Sequence, residues 1–194
     1  MGTPTGVIAI AGSGGTAIAP SSLEHKIAAA FGAAAIAPAI ADTELFYIQK
    51  SRRRIRRLEY DATGENYPSR DLMTNAEHLS ESTIEELAFA SEPFGVLWAR
   101  RADGSLAALT YARAPGQAAP TVEAWHRHVL GGAFGTGDAV VESMAVIPGT
   151  YGDEVWLSVK RTINSATVRY VEYMAKPYDP WDARDDCFYS DSAI

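Results

Sequence analysis

Three stretches of the chain follow one plan, and that plan limits the fold more than any other feature. LFYIQKSRRRIRRLEY (45–60), VLWARRADGSLAALTY (96–111) and VWLSVKRTINSATVRYVEY (155–173) each open on an apolar and aromatic run. Each then turns through basic and turn-forming residues and ends in a run closing on tyrosine. Runs rich in Val, Ile, Trp and Tyr between Asp, Asn, Gly and Ser read as strands. Asp103-Gly104 between two of them is a strong hairpin signal, which predicts positive φ at both central residues. Leu45, Val96 and Val155, which open the three copies, lie 51 and 59 residues apart, a period expected of four-stranded propeller blades and not of helical repeats.

Further strand-like runs flank the hairpins at 84–89, 122–129 and 140–147. The sequence therefore predicts an all-β, β-propeller-like chain of about three antiparallel blades, with units near 45–79, 84–129 and 140–177, the exit region 71–79 reading as a helical turn. Residues 1–44 form an Ala/Gly-rich N-terminal segment. Within it Ser21 and Ser22 are placed to cap a short helix over 23–31, with Ile27 and Phe31 four apart on one face and Gly32 ending it. Gly12, Ser13, Gly14 and Gly15 read as a flexible turn, because the Lys and Ser/Thr of a phosphate-cradling loop do not follow. Propeller rings need at least ~4 blades to close. Three leave edges and apolar faces that favour pairing with something else.

Net charge is −7 and the pI is near 5.1, so the chain as a whole has no attraction for nucleic acid or an anionic membrane. A single cysteine, Cys187, excludes an internal disulfide and a cysteine-built zinc site. No run reaches the ~18–20 apolar residues of a membrane-spanning helix, and the opening MGTPTGVIAIAGSGG lacks the basic stretch of a secretory signal. Cytoplasmic synthesis and assembly is the expectation, with no cofactor and no catalytic residues.

Two constellations stand out as sites. Arg52, Arg53, Arg54, Arg56 and Arg57 form the strongest charge run, with three readings: a solvated hairpin tip, a subunit contact, or a contact to DNA phosphates. His126 and His128, two apart on one strand, project from one sheet face and are a weak polar-site candidate; a metal would need a third ligand from His25, His78 or an acid, and cross-strand contacts beside Trp125 are the plainer reading. Asp179, Asp182, Asp185 and Asp186 lack the spacing of a calcium loop. Trp98, Trp125, Trp156 and Trp181, with Tyr60, Tyr111 and Tyr173, read as packing residues between blades. Glu142, Asp153 and Glu154 are the acids a propeller glycosidase would call on, and no paired arrangement of them follows from sequence.

Several segments together resemble a known family. They are LFYIQKSRRRIRRLEYD (45–61), DLMTNAEHL (71–79), IEELAFASEPFGVLWARRADGSLAALTY (84–111), AWHRH (124–128), VESMAVIP (141–148), DEVWLSVKRTIN (153–164), VRYVEYM (168–174) and the closing DDCFYSDSAI. They resemble the nozzle proteins (tail tubular protein B type) of short-tailed bacteriophages and related tail-hub or DNA-stabilisation proteins. Members of that family are several times longer, so the resemblance is to a partial-length segment. It implies a non-enzymatic virion protein, located in the tail and assembled in the host cytoplasm. Such a protein lines or seals the DNA exit channel, with copies of itself and other tail or portal proteins as partners, and genome DNA passes without sequence-specific binding. The alternatives from the residues themselves are a propeller-type binding module for a protein or glycan, and a propeller glycosidase.

Overall fold

The computed structural model describes residues 1–62, 64–112 and 122–175. The chain divides into two compact units, Met1–Ile84 and Glu85–Ile194. The described residues form antiparallel sheets with short 3-10 turns, which bears out the all-β expectation.

In the first unit, β1 (Gly2–Thr3), β2 (Gly6–Gly12) and β3 (Leu23–Ala29) make a three-stranded sheet. β4 (Ala39–Ala41), β5 (Glu44–Ile48), β6 (Ile55–Glu59) and β7 (Ser69–Asp71) make a four-stranded meander. A 3-10 turn at Glu77–Ser80 follows. The helix expected over 23–31 is therefore corrected: these residues are β3, paired along β2 from Gly12↔Leu23 to Val7↔Ala29. Leu23, His25 and Ile27 alternate at a period of two as readily as Ile27 and Phe31 fit a period of four, and β2 gives them a ladder to complete. Val7 and Ala29 face inward and pack with Tyr47 and Leu58 of the meander. Ile10, Leu23 and Ile27 lie on the opposite, exposed face.

In the second unit, which begins at Glu85 within β8 (Ile84–Ala90), that strand forms a meander with β9 (Val96–Arg101), β10 (Leu106–Ala112) and β11 (Val122–His128). A two-stranded ribbon of β12 (Ala133–Phe134) and β13 (Gly137–Asp138) leads to a three-stranded sheet. This last sheet contains β14 (Val140–Gly149), β15 (Gly152–Ile163) and β16 (Ala166–Tyr173). The two larger sheets bury one core between them. Trp98, Leu106 and Ala108 come from one side, and Val141, Met144, Val155, Leu157 and Val159 from the other. Each buried leucine or valine contributes about 1.5–3 kcal/mol.

Polar clamps fix the same two sheets. The Glu86 carboxylate accepts from Arg100 Nε at 3.0 Å and from the Met144 backbone N–H at 3.2 Å. The Asp153 carboxylate accepts from the Ser91 and Glu92 N–H groups at 2.6 and 3.3 Å.

The three hairpins read from the sequence are the second and third strands of their sheets: β5–β6, β9–β10 and β15–β16. Their turns are not alike. Asn164 and Ser165 both take positive φ, 49° and 64°, the two-residue turn that follows strand twist. At Asp103-Gly104 only Gly104 does, at 85°. Gly104 N–H donates to Arg101 C=O, and Arg101 N–H to Ser105 C=O. That is a type I turn closed by a glycine bulge, which corrects the expectation of two positive-φ residues.

Candidate functional site

The last sheet has one face in the core and one that is open among the described residues except at its far end, where Phe134 lies against Lys160 and the Gly135 N–H donates to Thr162. Along β15, Val155, Leu157 and Val159 point inward, so Glu154, Trp156, Ser158 and Lys160 point outward. Register adds Tyr173, Val171 and Arg169 from β16, and Ile147, Ala145 and Ser143 from β14. Ile147 is 48%, Val171 74% and Tyr173 60% exposed. The Trp156 and Tyr173 rings stack with centroids 5.2 Å apart, and Trp156 Nε1 donates to Glu154 at 2.9 Å. The result is an apolar, aromatic platform of a kind that proteins reserve for binding.

A charged cluster closes one end of the platform. A β-bulge between Val141 and Ser143 shifts the register so that Met144 turns into the core and Glu142 reaches the outer face. Arg169 donates to Glu142 through Nε at 2.7 Å and Nη2 at 3.2 Å, and Lys160 Nζ lies 3.5 Å away. Lys160 also sits over the Phe134 ring at 4.1 Å. Hydrogen bonding from Arg169 holds the Glu142 carboxyl below the usual carboxylate range, and Glu142 holds Arg169 above its ordinary value. A carboxyl whose pKa falls on folding stabilises the fold above its unfolded pKa of about 4.3, and loses that contribution as pH drops through the folded value. Glu142→Gln should therefore lower the urea midpoint more at pH 7 than at acid pH; a deficit that does not shrink as pH falls would contradict this assignment.

The arginine run does not form one surface. Arg57 is buried, with Nη1 3.4 Å from Glu44 and Nη2 3.5 Å from Glu59. Arg56, also buried, donates to Ser69 through Nε and Nη2, both at 2.9 Å, and its guanidinium lies 3.6 Å from the Phe31 ring centre. Arg54 pairs with Glu77 at 2.5 Å and Asp71 at 3.7 Å. Only Arg52 and Arg53 are exposed.

The histidines are brought together: His126 Nδ1 lies 2.6 Å from His128 Nε2, and His126 Nε2 lies 3.1 Å from Thr110 Oγ1. Both rings contact Trp98, whose Nε1 is buried without a hydrogen-bond partner. One of the two facing nitrogens carries the proton and the other accepts it through its lone pair, so these two nitrogens do not hold a common ion. Among the described residues no group of three or more His, Cys, Asp or Glu is arranged to hold a metal. The closing tyrosines differ in setting: Tyr111 is buried, Tyr60 and Tyr173 exposed. Trp181, Cys187 and the aspartates from 179 to 186 lie outside the described residues.

The three acids of the glycosidase reading are each engaged elsewhere. Glu142 is held by Arg169 and Lys160, Asp153 by two backbone N–H groups and Glu154 by Trp156. They do not face one another as an acid and base pair.

No protein-family model and no curated protein sequence matches the chain. Among solved structures it is similar to a luciferin-regenerating enzyme, at 16% identity and a TM-score of 0.41. The likeness covers 71% of this chain and 40% of that one. The match is to an enzyme and not to a virion component, so two expectations are corrected here and carried no further: a structural phage-tail protein, and a chain without enzymatic activity. At that identity and score the likeness transfers no reaction, substrate or site residue to this chain.

Proposed function

We propose that the chain is a binding module whose last sheet presents its outer face to a protein partner. The observation that supports this reading is the open platform of Ile147, Trp156, Val171 and Tyr173, with Val171 74% exposed on the edge strand β16. Burying such side chains against a partner contributes about 25 cal/mol per Å² of apolar surface, before the costs of association. Ion pairing at Glu142, Lys160 and Arg169 gives the platform a polar rim, the usual border of a docking site.

A benzoylphenylalanine residue placed at Ala145, irradiated in an extract of the producing cells, should give a discrete protein adduct. Ile147→Lys should abolish that adduct without changing the circular dichroism spectrum. Adduct yield indifferent to Ile147→Lys would overturn the reading. So would absence of an adduct together with specific retention on a glycan array, which would make the aromatic pair a sugar platform.

A further inference from the structure

We infer that a second copy of this chain adds edge to edge through β16 to make one continuous sheet, which extends the outer platform across both copies and leaves that face open to a further partner; this rests on the reading of the last sheet as a docking surface. The argument begins at the hairpin turn. With Asn164 and Ser165 as its two loop residues, Ile163 and Ala166 form the hydrogen-bonded pair that closes it. Alternation then makes Arg161↔Val168, Val159↔Tyr170 and Leu157↔Glu172 the hydrogen-bonded pairs of the ladder. Met174 N–H donating to Val155 C=O at 2.9 Å continues the alternation. The N–H and C=O groups of Thr167, Arg169, Val171 and Tyr173 therefore point away from β15.

Among the described residues no strand takes up those groups, since the sheet order ends on β16. Apart from the charges of Arg169 and Glu172, the devices that usually blunt such an edge are absent from it. β16 has no proline, no lysine and no bulge, and it runs eight residues.

Its sequence is also complementary to itself. With two copies antiparallel and Val171 opposite Val171, Arg169 faces Tyr173, Tyr170 faces Glu172 and Val168 faces Met174, each pair occurring twice about the two-fold axis. Arg169 and Tyr173 share the platform face, where the aliphatic stem of Arg169 lies beside the neighbouring ring while its guanidinium stays turned across β15 to Glu142. Neighbouring registers are worse. Centring on Arg169 opposes two guanidinium groups, and centring on Glu172 opposes two carboxylates, both destabilising across a ladder. Centring on Tyr170 sets Arg169 against Val171 and Glu172 against Val168, leaving both charges facing apolar side chains. The charge pattern thus selects one register.

The test uses the purified full chain in a Cys187→Ser background, so that any added thiol is the sole one. At a hydrogen-bonded antiparallel pair the Cα atoms lie about 5.5 Å apart, within disulfide reach. Under mild oxidation Val171→Cys should form a covalent dimer at roughly ten times the yield of Arg169→Cys or Tyr173→Cys alone, and mixing those two variants should restore it. Sedimentation of the chain without added cysteine should show a concentration-dependent dimer that Val171→Pro abolishes. The proline removes an outward N–H and leaves the ladder to β15 intact; where it disturbs the spectrum, Val171→Lys replaces it. Equal disulfide yields at the three positions, or a monomer at every concentration, would overturn the inference. A monomer that still gives the Ala145 adduct to another protein would leave the binding-module reading standing, whereas loss of both would end it as well.

Discussion

Replacing Arg57 by alanine is expected to cost the first unit about 3–5 kcal/mol, the penalty for leaving a buried charge without its partner. The charge in question belongs to Glu44, which is 3% exposed and 3.4 Å from the guanidinium. Glu59, the second partner, is half-buried at 3.5 Å and keeps some access to water. Removing the cation alone desolvates Glu44 for nothing in return. Removing both, as Arg57→Met with Glu44→Leu, should recover most of the loss, because apolar side chains of similar volume replace buried ion pairs at little cost. Arg53→Ala, at an exposed position a few residues earlier, should change stability by no more than about 0.5 kcal/mol. Urea unfolding of the three variants checks the ordering. A loss below about 1 kcal/mol for Arg57→Ala would mean that the pair contributes as a surface bridge does.

That contrast shows where a charge run misleads. Arg52, Arg53, Arg54, Arg56 and Arg57 read as one basic patch because sequence shows their proximity and not their direction. Successive residues of β6 are buried, so both of its faces are covered, and Arg56 and Arg57 leave it on opposite sides. The signal was nevertheless present. Glu44 opens the preceding strand and Glu59 closes the same hairpin, and their register opposes them across β5 and β6. Two carboxylates so placed require a cation between them.

The hairpin repeat was legible for the opposite reason. Its strands alternate, its turns carry Asp-Gly or Asn-Ser, and local chemistry of that kind survives into the fold. The N-terminal sheet was not legible, because alanine and glycine have weak strand preference and β2 and β3 hold one another only by pairing. The shared tyrosines foretold position but not burial. Tyr111 lies on β10 between two strands, Tyr173 lies on the edge strand β16, and Tyr60 stands beyond the end of β6. The bulge at Glu142 left one trace in the sequence: the inward residues Val141, Met144 and Val146 are spaced by three and then two, a break in the period that a regular strand would not show.

The turn that departed from expectation carries the second large effect. Gly104→Ala should destabilise the second unit by about 2–4 kcal/mol, from two causes that a control can separate. The first is the backbone: at φ of 85° an L side chain is strained by about 1 kcal/mol or more. The second is space, since an added Cβ would stand 2.7 Å from Val140 Cγ1 and 2.9 Å from its Cα. The methyl could rotate away, but the Cα belongs to β14, whose next residue donates its N–H to Gly104 C=O at 2.9 Å. Relieving the clash therefore moves either the hairpin or the first strand of the last sheet, and breaks that bond. Gly135 supplies the control, with φ of 61° and nothing within 4 Å of where its Cβ would be. Gly135→Ala should show the dihedral cost alone, about 1 kcal/mol. If the two substitutions cost the same in urea unfolding, crowding against Val140 adds nothing, and the seam between the two sheets is looser there than its hydrogen bond implies.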